Sequence, residues 1–401
     1  MRISLQVKPA HRKEVLDDQR HLKMASSAHA YVRGNTIRFY EWLSKGNAPA
    51  SLPSGPPIWI CGDCHVGNLG PVANLDGQVE IQIRDLDQTV IGNPAHDLLR
   101  LGLSLAMAAR SSDLPGVTTA FMLEAMIDGY LGELSSRHKK PDVNQIAPIQ
   151  KVMQEAFNRK WKHLAEERIE DVTPTIPLGK RFWSLTGDER EHLRKFFEGE
   201  KARKLVQCLH QCDEGQPIQM LDAAYWMKGC SSLGRLRYAV LVGVGKKNRH
   251  GFRMIDIKEA TRAAAPTAPN VEMPANNAER VVAGALALSP FLGERMLSST
   301  FAGRQVVVRE LRPQDMKFEL AALTQQEAIL SARLFASVVG KAHARQMSPD
   351  VRQAWAKQIK SRHSRGLEAP GWLWTSVVSL VADHEASYLE HCRQYALSRV
   401  G

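Results

Sequence analysis

The chain has 401 residues, 44% apolar and 24% charged, an ordinary globular composition that excludes a disordered, collagenous or disulfide-scaffold protein and leaves room for roughly two to three domains. No apolar run is long enough to span a bilayer, the start MRISLQVKPAHRKEV has no apolar h-region, and six cysteines form no dense framework, so a reduced, cytoplasmic protein is expected. The 53 basic and 42 acidic residues leave a net charge of +11, which suits an anionic partner without choosing among nucleotide, phosphorylated substrate, nucleic acid or acidic lipid.

Residues 1–45 read as helical, through HLKMASSAHAYVRGNTIRFYEWL, until Pro53, Gly55, Pro56 and Pro57 end the pattern. The segment IWICGDCHVGNLGPVANLDGQVEIQIRDLDQTVIG predicts a short strand, a loop, and a second strand near Val79–Arg84 with period-two alternation. Residues 95–215 read as mostly helical. Val117, Phe121, Ala125 and Tyr130 are expected on one apolar face there, with Met122 and Met126 beside them. Between 218 and 258, RLRYAVLVGVG, a basic turn KKNRHG and FRMIDIK predict a two-strand hairpin. A helix is expected at Asn277–Leu288 and a strand at RQVVVREL (304–311). The last ninety residues return to helix, with Ile329, Leu330, Leu334, Phe335, Val338 and Val339 as a core stripe. Helical and strand-rich stretches alternate in blocks, which is an α+β pattern rather than a βαβ one.

The strongest chemical signal is CGDCHVGN (61–68) followed by IRDLDQ (83–88). Magnesium-dependent phosphoryl transfer requires one carboxylate to orient the attacking hydroxyl, and an amide oxygen with a second carboxylate to hold metal. Asp63 is the candidate base, and Asn68 and Asp85 are the candidate metal ligands. Asp87, two residues on, faces the same way in a strand and assists. The plainer reading is a tight turn, since Asp and Asn beside Gly are ordinary turn formers. Cys61-x-x-Cys64-His65 also matches haem attachment and a redox pair, but neither export nor a βαβ context accompanies it. A zinc site drawing on Cys208 and Cys212 has no standard spacing, so buried, unreactive thiols are the better account.

A second cluster, KGCSSLGRLRYAVLV (228–242), places Gly229, Ser231 and Gly234 at G-x-S-x-x-G spacing before a β-rich run. Small residues there let backbone N–H groups approach phosphates; the plainer reading is a hairpin entry. Lys258, at the end of an apolar strand, suits the α- and β-phosphates with Glu279 as its counter-charge. Glu259, its direct neighbour, is expected to face away.

CGDCHVGN, IRDLDQ and GNPAHDLLRLGLSL closely resemble the core of aminoglycoside and choline kinases within the protein-kinase-like fold. The resemblance implies that Asp63 is the catalytic Asp, that Asn68 and Asp85 hold metal, that Asp97 is a buried brace and that His65 shapes the loop. In those kinases the glycine loop and lysine precede the catalytic loop, whereas Gly229–Gly234 and Lys258 follow it here. The implied architecture is therefore a circularly permuted, two-lobed kinase-like fold, with a mostly helical large lobe and a small antiparallel-sheet lobe. It divides into an N-terminal helical segment (1–57), a catalytic-loop and helical lobe (58–215), a β-rich nucleotide-binding lobe (216–320) and closing helices (321–401). VVVRELRP (306–313) would be the strand and connector between lobes.

From KMASSAHAYVRG (23–34) to AHAR (342–345) the chain also resembles the bacterial domain-of-unknown-function family 2252; it departs from the expected pattern at Cys64, Leu69 and Arg84. Arg33, His343 and Arg345 read first as helix caps and ion-pair partners, and second as contacts to a phosphate or acceptor. The expected activity is ATP- and Mg²⁺-dependent phosphoryl transfer to an unidentified hydroxyl acceptor, small molecule or protein. A nucleotide-binding pseudokinase or an adenylyl transferase is the alternative within the same site. A basic nucleic-acid-binding protein is the alternative of another class, disfavoured by 6% aromatics and no recognition motif.

Overall fold

Several helices start where a side chain caps the first turn. In the computed structural model, which describes residues 7–46, 49–135, 143–158, 175–200, 218–230, 233–244, 252–316, 318, 323–360 and 369–395, α1 (Pro9–Ala25) has proline in its first turn. The side chains of Ser27 and Asn35 accept backbone N–H groups at the starts of α2 (Ala28–Gly34) and α3 (Thr36–Ser44). Strands β1 (Ile58–Ile60), β2 (Leu69–Ala73), β3 (Val79–Ile83) and β4 (Val90–Gly92) follow, pairing as β1–β4 and β2–β3. Asn93 caps α4 (Pro94–Ser111), which leads to α5 (Gly116–Leu134) and α6 (Ala147–Asn158).

The second half of the chain builds a larger sheet. β5 (Phe182–Trp183), β6 (Ile218–Trp226), β7 (Arg237–Val244), β8 (Phe252–Glu259), β9 (Met296–Phe301) and β10 (Arg304–Leu311) lie in the order β5-β6-β7-β8-β10-β9, every pair antiparallel. A capping box between Thr186 and Glu189 opens α7 (Gly187–Glu198). Asn276 caps α8 (Asn277–Leu288), and α9 (Pro290–Gly293) precedes β9. The chain closes with α10 (Gln325–Ala344), α11 (Pro349–Lys360) and α12 (Gly371–Tyr395). The α+β class is thus twelve helices and antiparallel sheets among the described residues.

Two large cores hold most of the buried apolar side chains among the described residues. The larger joins α4, α5, α10 and α12 around Leu98, Leu101, Tyr130, Phe335 and Trp372. The other covers one face of the six-stranded sheet, where Tyr238, Val240 and Val308 meet Leu193 and Phe197 of α7 and Leu16 of α1. The sheet therefore reaches back to Phe182, which the sequence division places in the preceding segment. Residues 201–217, across that boundary, lie outside the described residues.

Helix Asn277–Leu288, strand Arg304–Leu311 and the β7–β8 hairpin stand where the sequence predicts them. The segment 58–92 holds four strands instead of two. On α5 the apolar face is rotated from the expected one: Val117 and Phe121 are exposed, while Met122, Leu123, Met126 and Tyr130 are buried. The reason is a close crossing of α5 and α10. A Cβ on Gly129 would sit 2.1 Å from the Arg333 carbonyl oxygen, and one on Gly340 would sit 2.8 Å from that of Tyr130. Backbone contact at two glycines fixes which face turns inward. Among the described residues no helix is long and apolar enough to cross a membrane.

Candidate active site

The site is built on the turn that follows β1. Gly62 has φ +73°, and a Cβ there would lie 2.1 Å from the Gln88 carbonyl oxygen. Only glycine suits both the left-handed backbone and the close approach. Gly62→Ala is expected to lower stability by about 3 kcal/mol, adding left-handed strain to a backbone clash. Urea denaturation checks this, and a loss under 1 kcal/mol would remove the argument.

The turn hangs from Asp97, in the first turn of α4. The N–H groups of Cys61 and Gly62 donate to its carboxylate at 2.7 and 2.9 Å. His343 Nε2 lies 3.2 Å from the same carboxylate, and the Tyr130 hydroxyl lies 2.9 Å from His343 Nδ1. A carboxylate only accepts, so in the neutral ring Nε2 carries the proton and Nδ1 accepts from Tyr130. Trp355 Nε1 donates to the Tyr130 oxygen at 2.9 Å. All four side chains are buried. The Tyr40 hydroxyl and Thr89 hydroxyl add bonds to the carbonyls of Gly62 and Ile60, at 2.7 and 2.6 Å.

Asp63 projects from this braced turn and is nearly buried. Arg100 of α4 donates to it at 2.8–2.9 Å, and His65 Nε2 lies 3.7 Å away. Burial pushes the Asp63 carboxyl up from its ordinary range, with Arg100 opposing. Burial, together with Arg100 and Arg33, holds His65 well below its usual value and therefore neutral. Asn68 Nδ2 donates to the Asp63 carbonyl at 3.0 Å, and the Asn68 carbonyl accepts the Arg84 N–H at 2.7 Å. Those bonds tie the loop to the end of β3 and use the Asn68 side-chain nitrogen, not its amide oxygen.

Beyond β3 lie Asp85 and Asp87. Lys258, on β8 of the large sheet, is 3.4 Å from Asp85 and also ion-pairs with Asp87. These partners stand 173 residues apart in the chain for the first pair. Desolvation acts upward on Asp85, but Lys258, Arg309 and Arg237 outweigh it and hold the carboxyl ionised, far below its ordinary value. Burial and the Asp85 charge push Asp87 up. Behind them, Asp256 is bridged by Arg237 at 2.6–2.9 Å and by Arg309 at 3.1 Å. A narrow cleft opens here, lined by Asp85, Asp87, Lys258, Val281 and Arg309.

The donor set fits magnesium. Asp85 is 44% exposed and ionised, Asp87 follows two residues on, and Asn68 offers a neutral oxygen. A magnesium ion shared with nucleotide phosphates needs only one or two carboxylates from the protein. Among the described residues no group of three or more His, Cys, Asp or Glu is placed to hold a metal. Cys61 and Cys64 are free and buried; their mutual hydrogen bond and burial push the Cys61 thiol well up, and Cys64 is also raised. Burial and a raised thiol match the expectation of unreactive core cysteines. Cys208 and Cys212 lie outside the described residues.

The glycine turn between β6 and β7 has Gly229 at φ +91° and Gly234 at φ +86°; Ser231 lies outside the described residues. The turn leans on the N-terminal helices. Lys23 of α1 reaches the Gly229 carbonyl at 3.4 Å, and a Cβ on Gly34 would sit 2.9 Å from Cys230 Sγ.

Glu279 requires a correction. It is exposed in the capped first turn of α8, and Lys258 takes Asp85 and Asp87 as counter-charges in its place. Its neighbour Arg280 is the residue that turns inward, donating to the carbonyls of Thr89, Asp87 and Thr261. Arg345 caps α8 through the Leu288 carbonyl at 2.8 Å, and His343 braces Asp97, both as the structural reading expects. Arg33 makes neither a cap bond nor an ion pair with a described residue. Arg100 and Arg280 escaped the sequence reading; the spacing Asp97-x-x-Arg100, on one helix face, was the available signal for the first.

The chain belongs to DUF2252, a family described as uncharacterized proteins conserved in bacteria, whose profile matches residues 12–394. No curated protein and no solved structure matches it.

Proposed function

We propose that this protein is an ATP- and Mg²⁺-dependent phosphotransferase with a circularly permuted kinase-like architecture. The observation that carries the reading is the ion pairing of Lys258 with Asp85 and Asp87 beside the Asp63–Asn68 loop. In protein kinases a Gly-rich loop covers the phosphates, the lysine stands on the third strand, and helix C follows. Here a glycine turn joins β6 to β7, Lys258 stands on β8, and α8 comes next. These parts follow the catalytic loop instead of preceding it.

In the proposed reaction the glycine-turn backbone and Lys258 bind phosphates. Asp85, with Asn68, would hold magnesium, which neutralises charge on the transferring group. Asp63 accepts the proton of an acceptor hydroxyl placed in line with the γ-phosphate. Arg100 fixes the Asp63 carboxylate, and Asp97 fixes the loop that carries it. Phosphoryl and adenylyl transfer use one such metal site and are separated by product mass.

Thermal unfolding with and without ATP and Mg²⁺ tests the reading. Wild type is expected to gain about 2.7 kcal/mol at nucleotide 100-fold above Kd, only with the metal present. Asp85→Ala is expected to lose that gain. No shift in wild type at millimolar nucleotide would overturn the proposal.

A further inference from the structure

Four buried nitrogens without a hydrogen-bond partner gather around the catalytic loop: His29 Nδ1, Arg33 Nε, His65 Nδ1 and Arg100 Nη1. His65 is 4% exposed and Arg100 0%. Buried polar groups are ordinarily satisfied, so four orphans in one place call for an explanation. They share one neighbourhood. The Arg33 guanidinium lies over Gly67, where a Cβ would be 2.6 Å from its Nη2. Gly67 is inside the loop that carries Asp63, His65 and Asn68. His29 stands one helical turn before Arg33 on α2, so both face the loop side by side. Arg100 is already committed to Asp63. Arg33 makes no ion pair with a described residue, although it is half-buried; the nearby Asp63 is taken by Arg100. The neighbourhood thus holds two guanidinium groups against one paired carboxylate. Burial, with Arg33 and Arg100 beside it, holds His29 down at about 4, and burial lowers Arg33, with the Asp63 charge opposing.

We propose that Arg33, His29 and His65 form an oxyanion subsite beside Asp63 that takes a phosphate group of the reacting substrates. The proposal rests on the reading of the Asp63 loop as the reaction centre. A guanidinium fork binds two phosphate oxygens, His29 adds a ring nitrogen beside it on α2, and His65 on the loop approaches from another direction, which suits a tetrahedral anion. The phosphate belongs to the nucleotide's terminal group or to a phosphorylated acceptor; the chemistry of the subsite is the same.

Calorimetric titration of wild type, Arg33→Gln and Gly67→Ala with inorganic phosphate in the presence of ADP·Mg²⁺, and with ADP·Mg²⁺ and ATP·Mg²⁺ alone, tests it. Gly67→Ala keeps every charge but pushes the Arg33 head away from the loop, so it controls for folding damage in the charge variant. Both variants are expected to lose about tenfold or more in affinity for a phosphate probe. If ATP affinity falls and ADP affinity does not, the occupant is the terminal phosphoryl group. If both nucleotides bind as before and free phosphate binding falls, the occupant is a phosphate on the acceptor. Phosphate binding that depends on Arg33 without any nucleotide binding would keep the subsite and remove the kinase reading. Nucleotide and phosphate affinities equal in all three proteins would overturn the subsite and leave the kinase reading standing.

Discussion

Asp63→Asn is expected to slow phosphoryl transfer by about 10²–10⁴-fold, the usual contribution of a positioned general base, while ATP·Mg²⁺ binds as before. The substitution keeps the shape of the side chain and the Asn68 bond to the Asp63 backbone, so the loop is retained. What it removes is the only carboxylate of the braced turn. With water as the acceptor, phosphate release from ATP measures the effect without knowledge of the natural substrate. The pH profile adds a second readout. Burial raises the Asp63 pKa, and the base works only when ionised, so the wild-type rate falls as pH drops through that raised value. In Asp63→Asn the acid limb due to this group is absent. An unchanged rate with an unchanged acid limb would remove Asp63 from the chemistry.

The parts of this molecule that were legible in the sequence are those whose signals are local. Asn276 before an apolar-periodic run marks the start of α8, and short apolar, β-branched runs free of Gly and Pro mark β8 and β10. The strands β2 and β4 were hidden because LGPVA and VIG carry proline or glycine and are too short to alternate. Local periodicity does not show the buried α5 face, because α10, some two hundred residues on, decides which side is covered.

The same division holds at the site. Asp63, Asn68, Asp85 and Asp87 lie within one stretch of 25 residues and read as a motif. Lys258 was expected beside them and is found there, since a buried strand lysine must meet an anion. Glu279 is a reasonable counter-charge by chain order, but the carboxylates of Asp85 and Asp87 pair with Lys258 instead. Nothing local distinguishes Arg33, which lacks an anion, from Arg280, which caps three carbonyls, or Arg345, which caps a helix. Only the fold assigns their roles, because each role is set by the acceptors that tertiary packing brings to the guanidinium.

The largest stability effect is expected at a residue that touches no substrate. Asp97→Ala should destabilise the protein by about 4 kcal/mol, from two orphaned backbone N–H groups at roughly 1–3 kcal/mol each. The Cys61 and Gly62 amides sit in a region closed to water, so no solvent replaces the lost acceptor. His343 loses its acceptor as well, and with it the fixed tautomer that lets Nδ1 accept from Tyr130. The damage should therefore spread along the chain Trp355–Tyr130–His343, from α11 through α5 to α10, and not stay at the loop. Hydrogen exchange distinguishes this from a merely local loss: protection should fall at Cys61 and Gly62 and also at the Trp355 indole N–H. His343→Ala leaves Asp97 with both backbone donors and should cost less than Asp97→Ala. If Asp97→Ala unfolds within 1 kcal/mol of wild type, the loop is held by Tyr40, Thr89 and Ser104 instead, and the brace assigned to Asp97 is wrong.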